Sequence, residues 1–426
     1  MSSSPRKDDF IQSDDLESAT PAQEEVEPPD GGVTAWMQVL CTHIVFFNTW
    51  GISNGYGVFQ QYYLQIFADE SASTISWIGS VQGFLIFFIG VAAGRLSDSG
   101  HFRITFYSGV FLQVFGLFMA SLASTYYQIL LSQAICVGFG SGLTFCPALA
   151  IMSQYFKRNR AVSVGFAAAG APVGGLVYPI IIDQMINHRQ AGLPWTLRTM
   201  AFVMLVTYIP CIFLLRPRLP ARQPGPWLDT TAFKDVTFVL FSIGFFLNFL
   251  GLYFVFFYLG TFARDQLGIR DTVFLIIILN GVGILGRMSP GIIADKWVGM
   301  LNSIIFLSLS TSLLVYCWAA VSSESGLLVF TVIYGLLAAT LQALLPAAAT
   351  TMTPEPSRTG TRVGMILCLV SFGNLTGPSI CGSIISRQDG SYLGAQMFAG
   401  TSILLGAFMV VAARISRSGF VLKIKV

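Results

Sequence analysis

The chain has 426 residues, of which 54% are hydrophobic and only 11% charged, with a formal net charge of +3. A soluble globular domain carries about 25% charged residues. A surplus of apolar side chains this large cannot be hidden in one core, so part of the surrounding solvent must be lipid, which excludes an ordinary soluble domain.

Runs of about 18 to 25 apolar residues mark spanning helices. Twelve are expected, near 36–60, 75–94, 104–123, 126–150, 161–183, 198–215, 236–260, 272–293, 300–320, 327–350, 362–385 and 393–414. The expected fold is an all-α membrane protein of two six-helix bundles, 31–215 and 236–414, joined by a cytoplasmic linker over 216–235.

Residues 1–30 hold nine acids against Arg6 and Lys7 and contain no apolar h-region, so a disordered acidic tail is expected and a signal peptide is not. The first span carries Asn48 and Asn54 and contains no lysine or arginine. Gly94-Arg95-Leu96-Ser97-Asp98 closes the second span, and Arg103 follows. There Asp98 can bridge neighbouring helix ends and latch one conformation. Lys157, Arg158 and Arg160 precede a fifth span whose Gly165, Gly170, Gly174 and Gly175 leave one face without bulk, which lets a neighbouring backbone approach closely. The linker 216–235 is short, basic and proline-rich.

The seventh span is unusually aromatic and includes Asn248 and Tyr253. The eighth is the unusual one. Arg287 lies fifteen residues into an apolar segment, some ~12 Å of helix before Asp295 and Lys296. A charge that deep costs at least ~2.5 kcal/mol on insertion scales, so it should face a polar cavity, a partner or a ligand. Further polar residues within spans are Asn280, Gln342 and Asn374. Helix-to-helix hydrogen bonding, worth ~0.6 kcal/mol on average, is the plainer use of each amide.

Lys and Arg sort by loop, 18 on one side, 5 on the other and Arg287 within the membrane, which places both termini in the cytoplasm. Gly94 and Asp98 recur as Gly291 and Asp295 at an offset of 197; Gly138 and Gly335 share it, while Pro147 and Pro346, and Gly165 and Gly364, are offset by 199. The pattern suggests a six-plus-six duplication. The seven cysteines and three histidines form no metal or redox cluster, and no phosphate-binding loop is present, so neither a metal nor another cofactor is expected.

Three stretches carry a family resemblance: Pro28 to Trp36 (PPDGGVTAW), Tyr155 to Gly175 (YFKRNRAVSVGFAAAGAPVGG) and Gly94 to Arg103 (GRLSDSGHFR). Together they resemble the monocarboxylate porter family of the major facilitator superfamily, in its fungal branch. Asp30, Gly31, Gly32, Trp36, Tyr155, Phe156, Gly170 and Gly174 carry the match. The resemblance implies a central path lined by the first, fourth, seventh and tenth spans, with the eighth and eleventh contributing. It also implies gating by Arg95, Asp98, Arg103 and Asp295. Two departures matter. The proton-linked lysine of the first span is missing, and Gly283 stands where an aspartate would pair with Arg287.

The expected protein is therefore a non-enzymatic secondary transporter at the plasma membrane, working by alternating access on a small organic acid or carboxylated metabolite. Its partners would be that substrate and the bilayer, with no nucleic acid and no obligate protein partner. Arg287, Asn280, Asn54, Asn48, Asn248, Tyr253, Gln342 and Asn374 are the candidate contacts. Export is favoured over uptake of a monocarboxylate or a vitamin such as riboflavin, and a non-transporting nutrient sensor is the second alternative.

Overall fold

A computed structural model describes residues 27–221, 225–288, 299–353 and 358–419, and all regular structure among them is helical. The expectations placed on residues 1–26, Gly291, Asp295 and Lys296 lie outside the described residues. Twelve helices follow in order. The first is α1, Gly32–Asn54, continued after Gly55 by Tyr56–Ile66. Next are α2 (Ala72–Leu96), α3 (Phe102–Ala120), α4 (Tyr126–Ser153), α5 (Arg160–His188) and α6 (Gly192–Leu214). The second half holds α7 (Val236–Leu267), α8 (Val273–Met288), α9 (Met300–Trp318), α10 (Glu324–Thr351), α11 (Thr359–Arg387) and α12 (Leu393–Ser418). By length and composition nine helices among the described residues can cross a membrane; one of these, Ala72–Ala120, doubles back at Gly100, whose φ of +90° only glycine adopts at low cost, and so supplies two crossings. Gly32–Asn54 and the short α8 complete the twelve.

The first six helices pack among themselves, chiefly α1 on α4 and α5, α2 on α4, and α3 on α4 and α6. The last six do likewise, with α7 on α11 and α12, α8 on α10, and α9 on α10 and α12. The two bundles meet along α2–α11 and α5–α8. These contacts explain the repeated residues. Gly138 lets α4 close on Gln82 of α2, and Gly335 lets α10 close on Leu279 of α8. Gly165 sets α5 against the backbone of Arg287 in α8, and Gly364 sets α11 against Val91 of α2. Pro147 and Pro346 both sit inside their helices. Equivalent residues thus serve equivalent helix pairs in the two halves.

Two of the motif stretches turn out to be one structure. Asp30, at φ +50°, accepts hydrogen bonds through its carboxylate from the backbone N–H of Lys157 (2.5 Å) and of Arg158 (2.8 Å). The Lys157 N–H is the main reason its carboxyl lies below the ordinary aspartate value, against the opposing effect of desolvation. The Asp30 N–H donates to the Tyr155 carbonyl at 3.1 Å. Gly31 and Gly32 then turn the chain into α1, where the Trp36 ring meets Phe156 at 5.6 Å and Phe166 at 6.0 Å. The start of α1 is therefore docked on the α4–α5 turn. Further along, a Cβ on Gly170 or Gly174 would collide with the carbonyl of His43 or Phe47, so α5 lies directly against the backbone of α1.

The linker binds both bundles. Gln154 accepts from the N–H of Arg218 (2.9 Å) and of Leu219 (3.1 Å) on one side. On the other, buried Asp229 pairs with Arg362 (2.9 Å) and Arg358 (3.4 Å). Between them the Pro226 carbonyl accepts from Arg95 of α2 (2.8 Å) and from Thr361 of α11 (2.9 Å).

Replacing Gly174 with Leu is expected to destabilise the protein by at least the ~1–3 kcal/mol of an overpacked core, read as a lower unfolding midpoint in detergent. Asp229 supplies a pH test. The Thr231 hydroxyl and the Arg362 guanidinium bonded to it hold its carboxyl at about 2, below the ~3.9 of a free aspartate. Its stabilisation is therefore complete above pH ~4 and fades as pH falls toward 2. Asp229→Asn should lower the unfolding midpoint by several degrees at pH 7, the gap staying constant down to pH 5 and narrowing only below pH ~4.

Candidate functional site

Arg287, near the end of α8, is 6% exposed and lies inside the protein, away from lipid. Its Nη2 donates to Oε1 of Gln342 on α10 at 2.6 Å, and its Nη1 reaches the Ala168 carbonyl on α5 at 3.5 Å. The Tyr253 hydroxyl of α7 donates to the same Gln342 oxygen at 3.3 Å. Among the described residues no carboxylate pairs with Arg287, consistent with Gly283 standing one turn earlier. Among the described residues two buried atoms here have no partner, Nε of Arg287 and Nε2 of Gln342. Both are donors, so what the cluster lacks is an acceptor.

This cluster forms one wall of a cavity between the bundles. The other walls combine six rings (Phe46 and Trp50 of α1, Phe87 of α2, Phe145 of α4, and Phe249 and Tyr253 of α7) with aliphatic side chains, among them Val164 and Ala168 of α5. Trp50 lies 4.7 Å from Phe87 and 6.2 Å from Tyr253 between centroids, and Phe87 lies 6.1 Å from Phe249, so the rings close across the bundle boundary. The cavity measures ≈ 40 Å³, room for a few water molecules at about 10–15 Å³ each. A ligand of several rings enters only when the two halves move apart.

The remaining candidates are placed elsewhere. Asn48 donates to Thr207 (3.0 Å) and accepts from Tyr178 (2.6 Å), joining α1, α5 and α6. Asn54 and Asn280 both crowd the space beside Gly175, and Asn280 donates to the Ile276 carbonyl at 3.0 Å. Asn248 donates to the Gly244 carbonyl (2.9 Å) beside Gly406 of α12, and Asn374 faces Gly83 across the α2–α11 contact. None of these five amides lines the cavity. Of the gating candidates, Arg95 donates to the Gly225 and Pro226 carbonyls and lies 4.2 Å over the Trp227 ring. Asp98 stands in the turn after α2, Arg103 is exposed in the first turn of α3, and Asp295 is outside the described residues.

The wall contributed by the first bundle is what sequence reasoning missed. Phe46, Trp50, Phe87 and Phe145 stand in apolar runs where lipid-facing and cavity-facing rings look alike. The aromatic run of α7 carried the same ambiguity, and there Phe241, Phe245, Phe249, Tyr253, Phe254, Phe256 and Phe257 are all buried.

Comparison with known proteins agrees with this architecture. The family model described as Major Facilitator Superfamily matches residues 39–326. An "MFS-type transporter" of Gibberella zeae is 38% identical over 96% of this chain and 92% of its own length. The "Aspyridones efflux protein apdF" of Emericella nidulans is 34% identical over 94% of this chain and 82% of its own. Among solved structures, a variant of the nucleoside transporter NupG superposes with a TM-score of 0.69 at 14% identity, covering 88% of this chain and 99% of that one.

A double-mutant cycle tests the central contact. Gln342→Leu should cost about 1.5–3 kcal/mol, the worth of a hydrogen bond to a charged group, because it strands a buried cation. Adding Arg287→Leu should recover part of that loss, measured as unfolding midpoints of the purified variants.

Proposed function

The chain belongs to the Major Facilitator Superfamily, and from that premise we propose that it exports an aromatic or amphipathic organic acid by alternating access. One observation carries the reading: a buried guanidinium without a carboxylate and an amide donor without an acceptor among the described residues, side by side in a cavity otherwise lined by aromatic and aliphatic side chains. A carboxylate supplies the missing acceptor, and once the halves part, flat apolar groups can stack on Trp50, Phe87 and Phe249, a contact that acetate or lactate cannot make. In the low dielectric of such a site a charge-assisted hydrogen bond gains strength. The efflux name of the 34% identical relative supports export of a small organic compound.

In this reading the chain is a fungal-type monocarboxylate porter with both termini cytoplasmic, at the plasma membrane. Bundle 31–215 rocks against bundle 236–414 about the linker 216–235. Substrate enters when the rings part, takes Arg287 and Gln342 as its polar anchor, and leaves once the opposite face opens. Without the lysine of the first span or an acid beside Arg287, any proton that travels is carried by the substrate itself.

Reconstituted vesicles provide the test. Flux of an aromatic carboxylic acid should exceed that of lactate. Arg287→Leu should abolish it while the protein still reaches the membrane, and Arg287→Lys should retain part. Wild-type flux in the leucine variant would refute the assignment of this site, and saturable binding without flux would identify a sensor instead.

A further inference from the structure

On the face opposite the termini the two bundles are joined by hydroxyls. The Tyr258 hydroxyl, on α7, lies 2.5 Å from Oγ of Ser76 on α2 and 3.2 Å from the Ala72 carbonyl. Gln60, in the continuation of α1, donates through Nε2 to the same Ser76 oxygen and the same carbonyl, both at 3.1 Å. Ser73 of α2 donates to the Ser379 carbonyl of α11 at 2.8 Å, and Gly382 leaves the space that the Tyr258 hydroxyl occupies. Tyr258, Ser76 and Gln60 are all buried.

Around this cluster Oε1 of Gln60 and Oγ of Ser379 are buried with no partner among the described residues. A seam that stayed closed would lose stability through such atoms, because each has given up water without gaining a hydrogen bond. If the seam parts, they regain water. The cavity beside Arg287 differs in kind, since beyond Arg287, Gln342 and the Tyr253 hydroxyl its walls are apolar.

We propose that Tyr258 and Ser76, the latter braced within its own bundle by Gln60, form the latch that closes the transport path on the face opposite the termini, and that Gln60 and Ser379 line the water-filled vestibule that appears when it opens. The latch is made of neutral hydrogen bonds that water can replace one for one, so opening requires no separation of ions. Opening this contact therefore costs little wherever water takes the place of the lost bonds.

The test uses the full chain in nanodiscs, where a hydrophilic maleimide reaches both faces. Ser379→Cys is introduced into a background with Cys317, the exposed native thiol, and Cys381 replaced by serine. Tyr258→Phe, which keeps the ring and removes the hydroxyl, should raise the labelling rate at position 379 about fivefold, the equivalent of one ordinary hydrogen bond. Ser76→Ala removes the bond from the other side and should act in the same direction. Tyr316→Phe is the control, because the Tyr316 hydroxyl pairs with Thr401 at 2.7 Å within one bundle; it should leave labelling unchanged. Labelling that is unaltered or slower in both Tyr258→Phe and Ser76→Ala would overturn the proposal.

Discussion

A buried guanidinium held away from any carboxylate among the described residues is the constraint on which the rest of the site depends. Its only partners there are the dipoles of Gln342 and Ala168, contributed by α10 and α5. Arg287 therefore touches both bundles at once, its own α8 with α10 in one and α5 in the other. Any rearrangement of the two halves changes its surroundings, and any anion bound beside it changes the balance between arrangements. In the proposed cycle, binding and movement would share one side chain.

The close approach of α1 to α5 serves the same end. Gly170 and Gly174 bring the two backbones together and so fix where Ala168 and Val164 meet the cavity. The docking of Asp30 on the α4–α5 turn anchors the beginning of α1 against the same helix. Residues far apart in the chain thus set the position of one wall.

Much of the fold was legible beforehand because lipid imposes long apolar runs, and a duplicated chain repeats its glycines and prolines. Gly138 and Gly335 show this well, each spacing the corresponding helix pair of its half. Arg287, Gln342 and Tyr253 were legible as polar groups in apolar runs, and they converge. Asn48, Asn54, Asn248, Asn280 and Asn374 carried the same signal and lie at helix contacts outside the cavity wall, since a buried amide satisfies a neighbouring helix as readily as a ligand. The rings of the first bundle could not be distinguished, because periodicity locates a face without saying whether lipid or a cavity lies beyond it. The union of the Asp30 turn with the Tyr155 loop was also out of reach, as it joins segments more than a hundred residues apart through backbone N–H groups.

The Pro226 carbonyl gives the linker a mechanical meaning. A single oxygen with two lone pairs serves Arg95 at the end of α2 and Thr361 at the start of α11. Those two helix ends belong to opposite bundles and cannot separate while both bonds hold. The connecting peptide is in this respect a buckle: in the proposed cycle one of these two clasps must let go before the halves can swing apart.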